Sequence, residues 1–148
     1  MHIEFLVEEP SIEAALKNLL PKMLDPKTSF AIRVFQGKPD LLKKLPVRLR
    51  GYKKWIPENY RIVILIDRDK DDCLRLKRKI DEMVLESQLV TKSSVSQGES
   101  FQVLNRIVIE ELESWFLGDP TAVKAAYPEI SNNFVRKQRY SNPDTISD

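Results

Sequence analysis

One stretch constrains this chain more than any other: Arg61-Ile-Val-Ile-Leu-Ile-Asp67-Arg-Asp69-Lys-Asp71-Asp72. Five consecutive apolar residues, four of them β-branched, run directly into four acids within six positions. An apolar run this short and this rich in Ile and Val reads as a strand covered on both faces, the habit of parallel sheets. Its acids then stand at the strand's carboxyl end, the edge of an open α/β sheet at which ligands bind. Asp67 and Asp69 face the same way if the strand persists through them, or converge from a turn. Two carboxylates held that close repel unless a cation lies between them, and an all-oxygen donor set suits Mg²⁺ or Mn²⁺. The simpler reading of the same residues is an Asp-rich turn that caps the next helix.

Composition narrows the chemistry further. One cysteine, Cys73, leaves no internal disulfide and no thiolate zinc cluster. One histidine, His2, leaves neither a Ser-His-Asp triad nor a histidine-rich metal site. Any reaction must therefore run on carboxylates, lysines, arginines and hydroxyls. No apolar run approaches the ~20 residues of a spanning helix, and the first residues lack a basic-then-apolar leader. We therefore expect a cytoplasmic protein without a membrane partner. With 148 residues, 42% hydrophobic and 31% charged, the chain suits one domain. That domain is expected over residues 1–128, followed by a polar tail, 129–148, that reads as frayed or truncated.

The order of elements repeats one pattern. His2–Val7 reads as a first strand ending in Glu8 and Glu9, with Pro10 as breaker and Ser11 as N-cap of a helix. Phe30–Phe35 reads as a second strand, closed by Gln36-Gly37-Lys38-Pro39, which puts Lys38 at the same carboxyl-end rim. A helix from about Asp40 to Lys54 follows, with a kink or break expected at Pro46. After the central strand, Asp71 to about Gln88 is strongly helical, and Leu89-Val90 opens a short strand before a polar loop. Phe101–Ile109 is the next strand region, interrupted around Asn105 and ending in Glu110-Glu111-Leu-Glu113. Acids in a helix's first turn also serve simply as dipole partners. Thr121–Tyr127 suggests a last short helix. Strand and helix alternating in this way imply a three-layer, Rossmann-like α/β domain with a mainly parallel sheet.

Charge is unevenly spread. From Arg33 to Arg61 there are nine basic residues against two acids. Phe35, Tyr52, Trp55 and Tyr60 are interleaved with them, a composition suited to holding a phosphate backbone and stacking a base. The alternative is a solvated basic helix whose aromatics belong to the core.

Glu8 after strand one, Asp67-Arg-Asp69 after a later hydrophobic strand, and the order of elements together resemble the Toprim domain. That domain occurs in topoisomerases, bacterial primases, recombination-mediator proteins and the overcoming-lysogenization-defect nucleases. More narrowly, Phe35-Gln-Gly37-Lys38-Pro-Asp-Leu-Leu and Ile109-Glu-Glu111-Leu-Glu113-Ser-Trp115-Phe-Leu-Gly-Asp119 resemble a bacterial Toprim-like family often encoded beside ATPases and linked to defence. The resemblance covers roughly residues 2–127. It implies a Mg²⁺-dependent (or Mn²⁺-dependent) nuclease acting on DNA or RNA, with DNA the first candidate, and a partner ATPase. Glu8 would be a general acid/base or metal ligand, Asp67 and Asp69 metal ligands, and Glu111 and Glu113 further ligands. Lys38 would be catalytic and a phosphate contact, joined in nucleic-acid binding by Lys43, Lys44, Arg48, Arg50, Lys53 and Lys54. One departure is Glu9, where many Toprim domains have glycine. Two other readings stand beside this one: a catalytically silent Toprim module that binds nucleic acid or a partner protein, and a receiver-like phosphoryl-transfer domain.

Overall fold

A computed structural model describes residues 1–108 and 119–131. The chain alternates β1 (His2–Val7), α1 (Pro10–Met23), β2 (Ser29–Val34), α2 (Lys38–Lys53), β3 (Tyr60–Asp67), α3 (Cys73–Glu86), β4 (Val103–Val108) and α4 (Pro120–Ala126). The four strands form one sheet in the order β2-β1-β3-β4. Every pairing is parallel. The apolar run of β3 thus lies inside the sheet, with β1 on one side and β4 on the other.

Helices cover both faces, so the fold is a three-layer, Rossmann-like α/β sandwich. Alternate residues of the strands point to opposite faces, and two apolar clusters result. On one face Leu6, Ile62, Ile64 and Ile66 pack against Leu41, Leu45 and Leu49 of α2 and Leu76, Ile80 and Val84 of α3. On the other face Ile3, Phe5 and Val7 meet Ile12, Leu16 and Leu20 of α1. Helices α1, α2 and α3 each bury a stripe spaced at three or four residues, as an amphipathic helix on a sheet must.

Local features depart from the sequence reading at four points. Helix α1 starts at Pro10, with Glu9 rather than Ser11 at the cap position. Proline's fixed φ suits the first helical turn, and the Ser11 hydroxyl instead donates to the Glu9 carboxylate. Helix α2 runs unbroken through Pro46. A proline inside a helix costs roughly 3 kcal/mol, whereas each fully buried leucine of the α2 stripe contributes about 1.5–3 kcal/mol. With Leu41, Leu45 and Leu49 all fully buried, burial wins. Strand β4 passes Asn105 without interruption, because the buried Asn105 amide accepts from Lys77 Nζ at 2.5 Å and donates to Asp81 at 2.6 Å. Leu89 and Val90 form no strand; the segment contributes a single bridge, Thr91 to Val103, and a 3-10 turn at Lys92–Ser94.

Candidate functional site

Strand order decides where a site can be. From β1 the chain goes to β2 on one side, and β3 then lies on the other, so the connections diverge at the carboxyl ends of β1 and β3. Such a switch point opens a crevice at the sheet edge. Register places Val7 of β1 opposite Leu65 of β3, so Glu8, one residue further on, arrives beside the end of β3.

Glu8 is buried there and fully used. One carboxylate oxygen accepts the backbone N–H of Lys38 at 2.9 Å, and the other accepts the backbone N–H of Asp67 at 3.0 Å. Glu8 thereby ties together the end of β3 and the first turn of α2, whose positive dipole end favours a carboxylate. The Glu8 backbone carbonyl also accepts the N–H of Gly37 at 3.0 Å. Gly37 sits at φ 84, a conformation that favours glycine, and this turn brings the α2 N-terminus onto Glu8. Glu9, the departure from the usual glycine, has φ −146 and ψ 165. That extended backbone suits any residue, so the turn needs no glycine here.

Asp67 ends β3 beside Glu8. Its Oδ1 is buried and has no hydrogen-bond partner among the described residues. Burial first, then the neighbouring Glu8, Glu9 and Asp69 charges, pushes the Asp67 carboxyl up to about 7, against a smaller downward pull from Lys38. Glu8 is also raised, chiefly by burial, which outweighs the stabilising Asp67 and Lys38 N–H groups. Near neutral pH this pair therefore holds less than two full negative charges, and an arriving cation would displace a proton.

The loop after β3 is organised around Lys38. Its ammonium donates to the Arg68 carbonyl at 3.0 Å and pairs with Asp69 at 2.7 Å and Asp71 at 2.8 Å. The lysine side chain is 12% exposed, whereas those of Asp69 and Asp71 are 61% and 53% exposed. Burial draws the Lys38 ammonium down, but the bonds to Asp69 and Asp71 outweigh it and leave it raised. Asp71 is lowered by the same hydrogen bond and the Lys38 charge. Asp69 adopts φ 48, a left-handed conformation that Asp tolerates and that turns the loop back toward Lys38. Asp72 then caps α3, its carboxylate accepting the Arg75 N–H at 2.8 Å.

Of the expected site residues, Glu8, Lys38, Asp67 and Asp69 thus come together at one rim. Asp71, which the sequence suggested only as part of an acidic run, proves to be a second partner of Lys38. Glu111 and Glu113 lie outside the described residues. Among the described residues no group of three or more His, Cys, Asp or Glu side chains could hold a metal ion.

The expected basic face divides. Helix α2 begins at the rim and runs away from it at about 1.5 Å per residue. Lys43 and Lys44 therefore stand roughly 8–9 Å along the axis from Lys38, whereas Lys53 and Lys54 stand at about 22–24 Å. Arg50 belongs to the distant half as well. Lys44 is paired with Asp40 at 2.6 Å, and the Arg48 guanidinium lies 5.5 Å from the Phe35 ring centroid. Phe35 and Tyr52 belong to the core, and Trp55, 54% exposed, packs against Tyr52 and Tyr60 with ring centroids at 5.5 and 6.0 Å.

The fold and rim define a parallel α/β protein with an acidic, lysine-bridged site at the switch point of its sheet. The chain belongs to the DUF4276 family, a domain of unknown function whose model matches residues 7–148. No curated protein and no solved structure matches the chain. No helix among the described residues is long and apolar enough to cross a membrane.

Proposed function

We propose that this protein is a cytoplasmic, Toprim-like phosphodiesterase that uses Mg²⁺ or Mn²⁺ to act on nucleic acid, with DNA the first substrate to test. The observation that carries the proposal is the pairing of Glu8 with Asp67 at the carboxyl ends of adjacent strands, with Asp67 Oδ1 buried, unpartnered among the described residues, and raised to about 7. An orphaned carboxylate oxygen costs stability unless something binds it. The donors nearby are all oxygen, which fits a hard divalent cation. Asp67 would hold the ion. The described carboxylates do not form a ready-made ligand cluster, so Asp69 would have to leave Lys38 and Glu8 would lend a lone pair beyond those used by its two backbone N–H donors, with Glu111 and Glu113 as candidates. Such an ion offsets charge on a phosphate and lowers the pKa of a bound water.

The chain's own residues have separate tasks in this scheme. Glu8 fixes the position of Asp67 through its backbone N–H and anchors the N-terminus of α2. Lys38 holds the 68–71 loop closed and would turn to a substrate phosphate when Asp69 is drawn to the cation. Lys43 and Lys44 would meet phosphates beside the rim. The saturation of Lys38 by Asp69 and Asp71 also favours a second reading, a silent module in which the lysine permanently replaces the cation.

A thermal titration with Mg²⁺ and with Mn²⁺ separates the two. In the active reading, ion at one hundred times its Kd stabilises the parent by about 2.7 kcal/mol, and Asp67→Asn abolishes the rise. Labelled DNA is then cleaved by the parent and not by Asp67→Asn or Glu8→Gln. A flat titration in the parent, or cleavage that survives Asp67→Asn, overturns the assignment.

A further inference from the structure

A groove between α2 and α3 opens directly from the rim. It encloses about 800 Å³, with Leu42 and Leu76 among its walls, and it shares Asp71 with the lysine-bridged loop. From that shared residue, Lys70, Arg75, Arg78 and Lys79 stand along it. Two of its three acids are already engaged: Asp71 by the Lys38 ammonium and Asp72 by the Arg75 N–H. Lys70, Arg75 and Lys79 form no ion pair among the described residues.

The outer face of α2 differs in this respect. A second groove there, of about 670 Å³, is lined by Arg33, Lys43, Lys44 and Arg48. Arg33 is held by the buried Glu4 at 3.1 Å, Lys44 is paired with Asp40, and Arg48 lies over Phe35. An anion arriving at that face must compete with partners already in place at three of these four cations, Lys43 being the exception. An anion arriving between α2 and α3 meets Lys70, Arg75 and Lys79 without an ion pair among the described residues, and Arg78 held only by a long bond to the Leu74 carbonyl at 3.4 Å. Arg75, Arg78 and Lys79 are spaced at i, i+3 and i+4, so their Cβ atoms are neighbours at about 5–6 Å on one helix face. That step is short enough for successive phosphates of one strand to be met in turn.

We propose that this groove is the track for a single phosphodiester strand leading to the rim, with Lys70 and Arg75 contacting the phosphates nearest the carboxylates and Arg78 and Lys79 those beyond. The inference rests on the nucleic-acid reading above and adds to it the strand's path. It places the principal phosphate contacts on α3, a helix to which the sequence reading assigned no site residue.

The test is binding of a fluorescent single-stranded DNA 20-mer in EDTA, followed by anisotropy across a salt series. Arg75→Glu with Lys79→Glu is compared with Lys22→Glu with Lys27→Glu, an equal charge change at and beyond the far end of α1. Arg75→Gln with Lys79→Gln is the milder second variant, and the melting temperature of each checks folding. The groove variants are expected to weaken binding tenfold or more for Glu and several-fold for Gln. The log–log salt slope should fall by about 1.4, or two contacts at ~0.7 each, while the control stays within twofold of the parent. Equal losses in groove and control variants, or a parent that binds no DNA, overturn the track. A parent that binds through the groove in EDTA yet cleaves nothing with Mg²⁺ refutes the phosphodiesterase and leaves the track standing.

Discussion

Replacing Asp67 by Asn should make the metal-free protein more stable at alkaline pH and leave it nearly unchanged in acid. The Asp67 carboxyl is raised from 3.8 to about 7 by burial and by the Glu8, Glu9 and Asp69 charges around it. Between these two values the unfolded chain has released the proton and the folded chain retains it. Stability therefore falls as pH rises through this window and is flat above it. At about 1.36 kcal/mol per pH unit, charging the folded carboxyl fully costs at most ~4 kcal/mol. Asp67 is only half-buried, so water and local relaxation reduce this to about 2 kcal/mol. Asn keeps the shape, cannot ionise, and offers an N–H toward the neighbouring carboxylates. Asp67→Asn should then raise the melting temperature at pH 8 by about 4–8 °C and by almost nothing at pH 4. The assay is thermal or urea denaturation in EDTA at intervals between pH 4 and pH 8. A gain of equal size at every pH, or a variant less stable than the parent at pH 8, would refute the electrostatic account of this site.

Other perturbations probe the supports of the rim and the core. Lys38→Met releases the 68–71 loop from α2 and should cost about 1–2 kcal/mol at pH 7, since exposed Asp69 and Asp71 regain water; faster amide exchange at Asp71, whose N–H bonds the Arg68 carbonyl at 3.0 Å, would accompany it, and unchanged exchange would contradict the loop's dependence on Lys38. Glu4 is buried; burial raises its carboxyl, but bonds from Arg33, His2 and Tyr52 together outweigh that and hold it low. Its contribution is present above pH 4.5 and fades as pH falls through the lowered value, so Glu4→Gln should destabilise by about 1–2 kcal/mol at pH 7, and the difference should shrink as pH falls below 4.5. Leu45→Ala opens a cavity under α2 and should cost about 2–5 kcal/mol in urea denaturation; a loss below 1 kcal/mol would mean that α2 is not clamped at Pro46 by its leucine stripe.

Much of the architecture is written locally. The Ile62–Ile66 run, the alternation of elements and the leucine stripes sufficed for a parallel three-layer sheet, because burial on two faces demands continuous apolar strands and helical periodicity. Glu8, Lys38, Asp67 and Asp69 were each readable as strand-end or turn residues for the same reason. What they do to one another was not. Only the tertiary structure sets the register that brings the Glu8 carboxylate onto two backbone N–H groups from elements 30 and 59 residues away. It also decides that Lys38 spans Asp69 and Asp71, that Pro46 is tolerated, and that Asn105 is a buried hub rather than a break. That Arg75 and Lys79 of α3 lack an ion pair among the described residues was equally a matter of tertiary contact. Residue types record which groups can ionise or be buried, whereas protonation and pairing depend on distances between segments that only packing fixes.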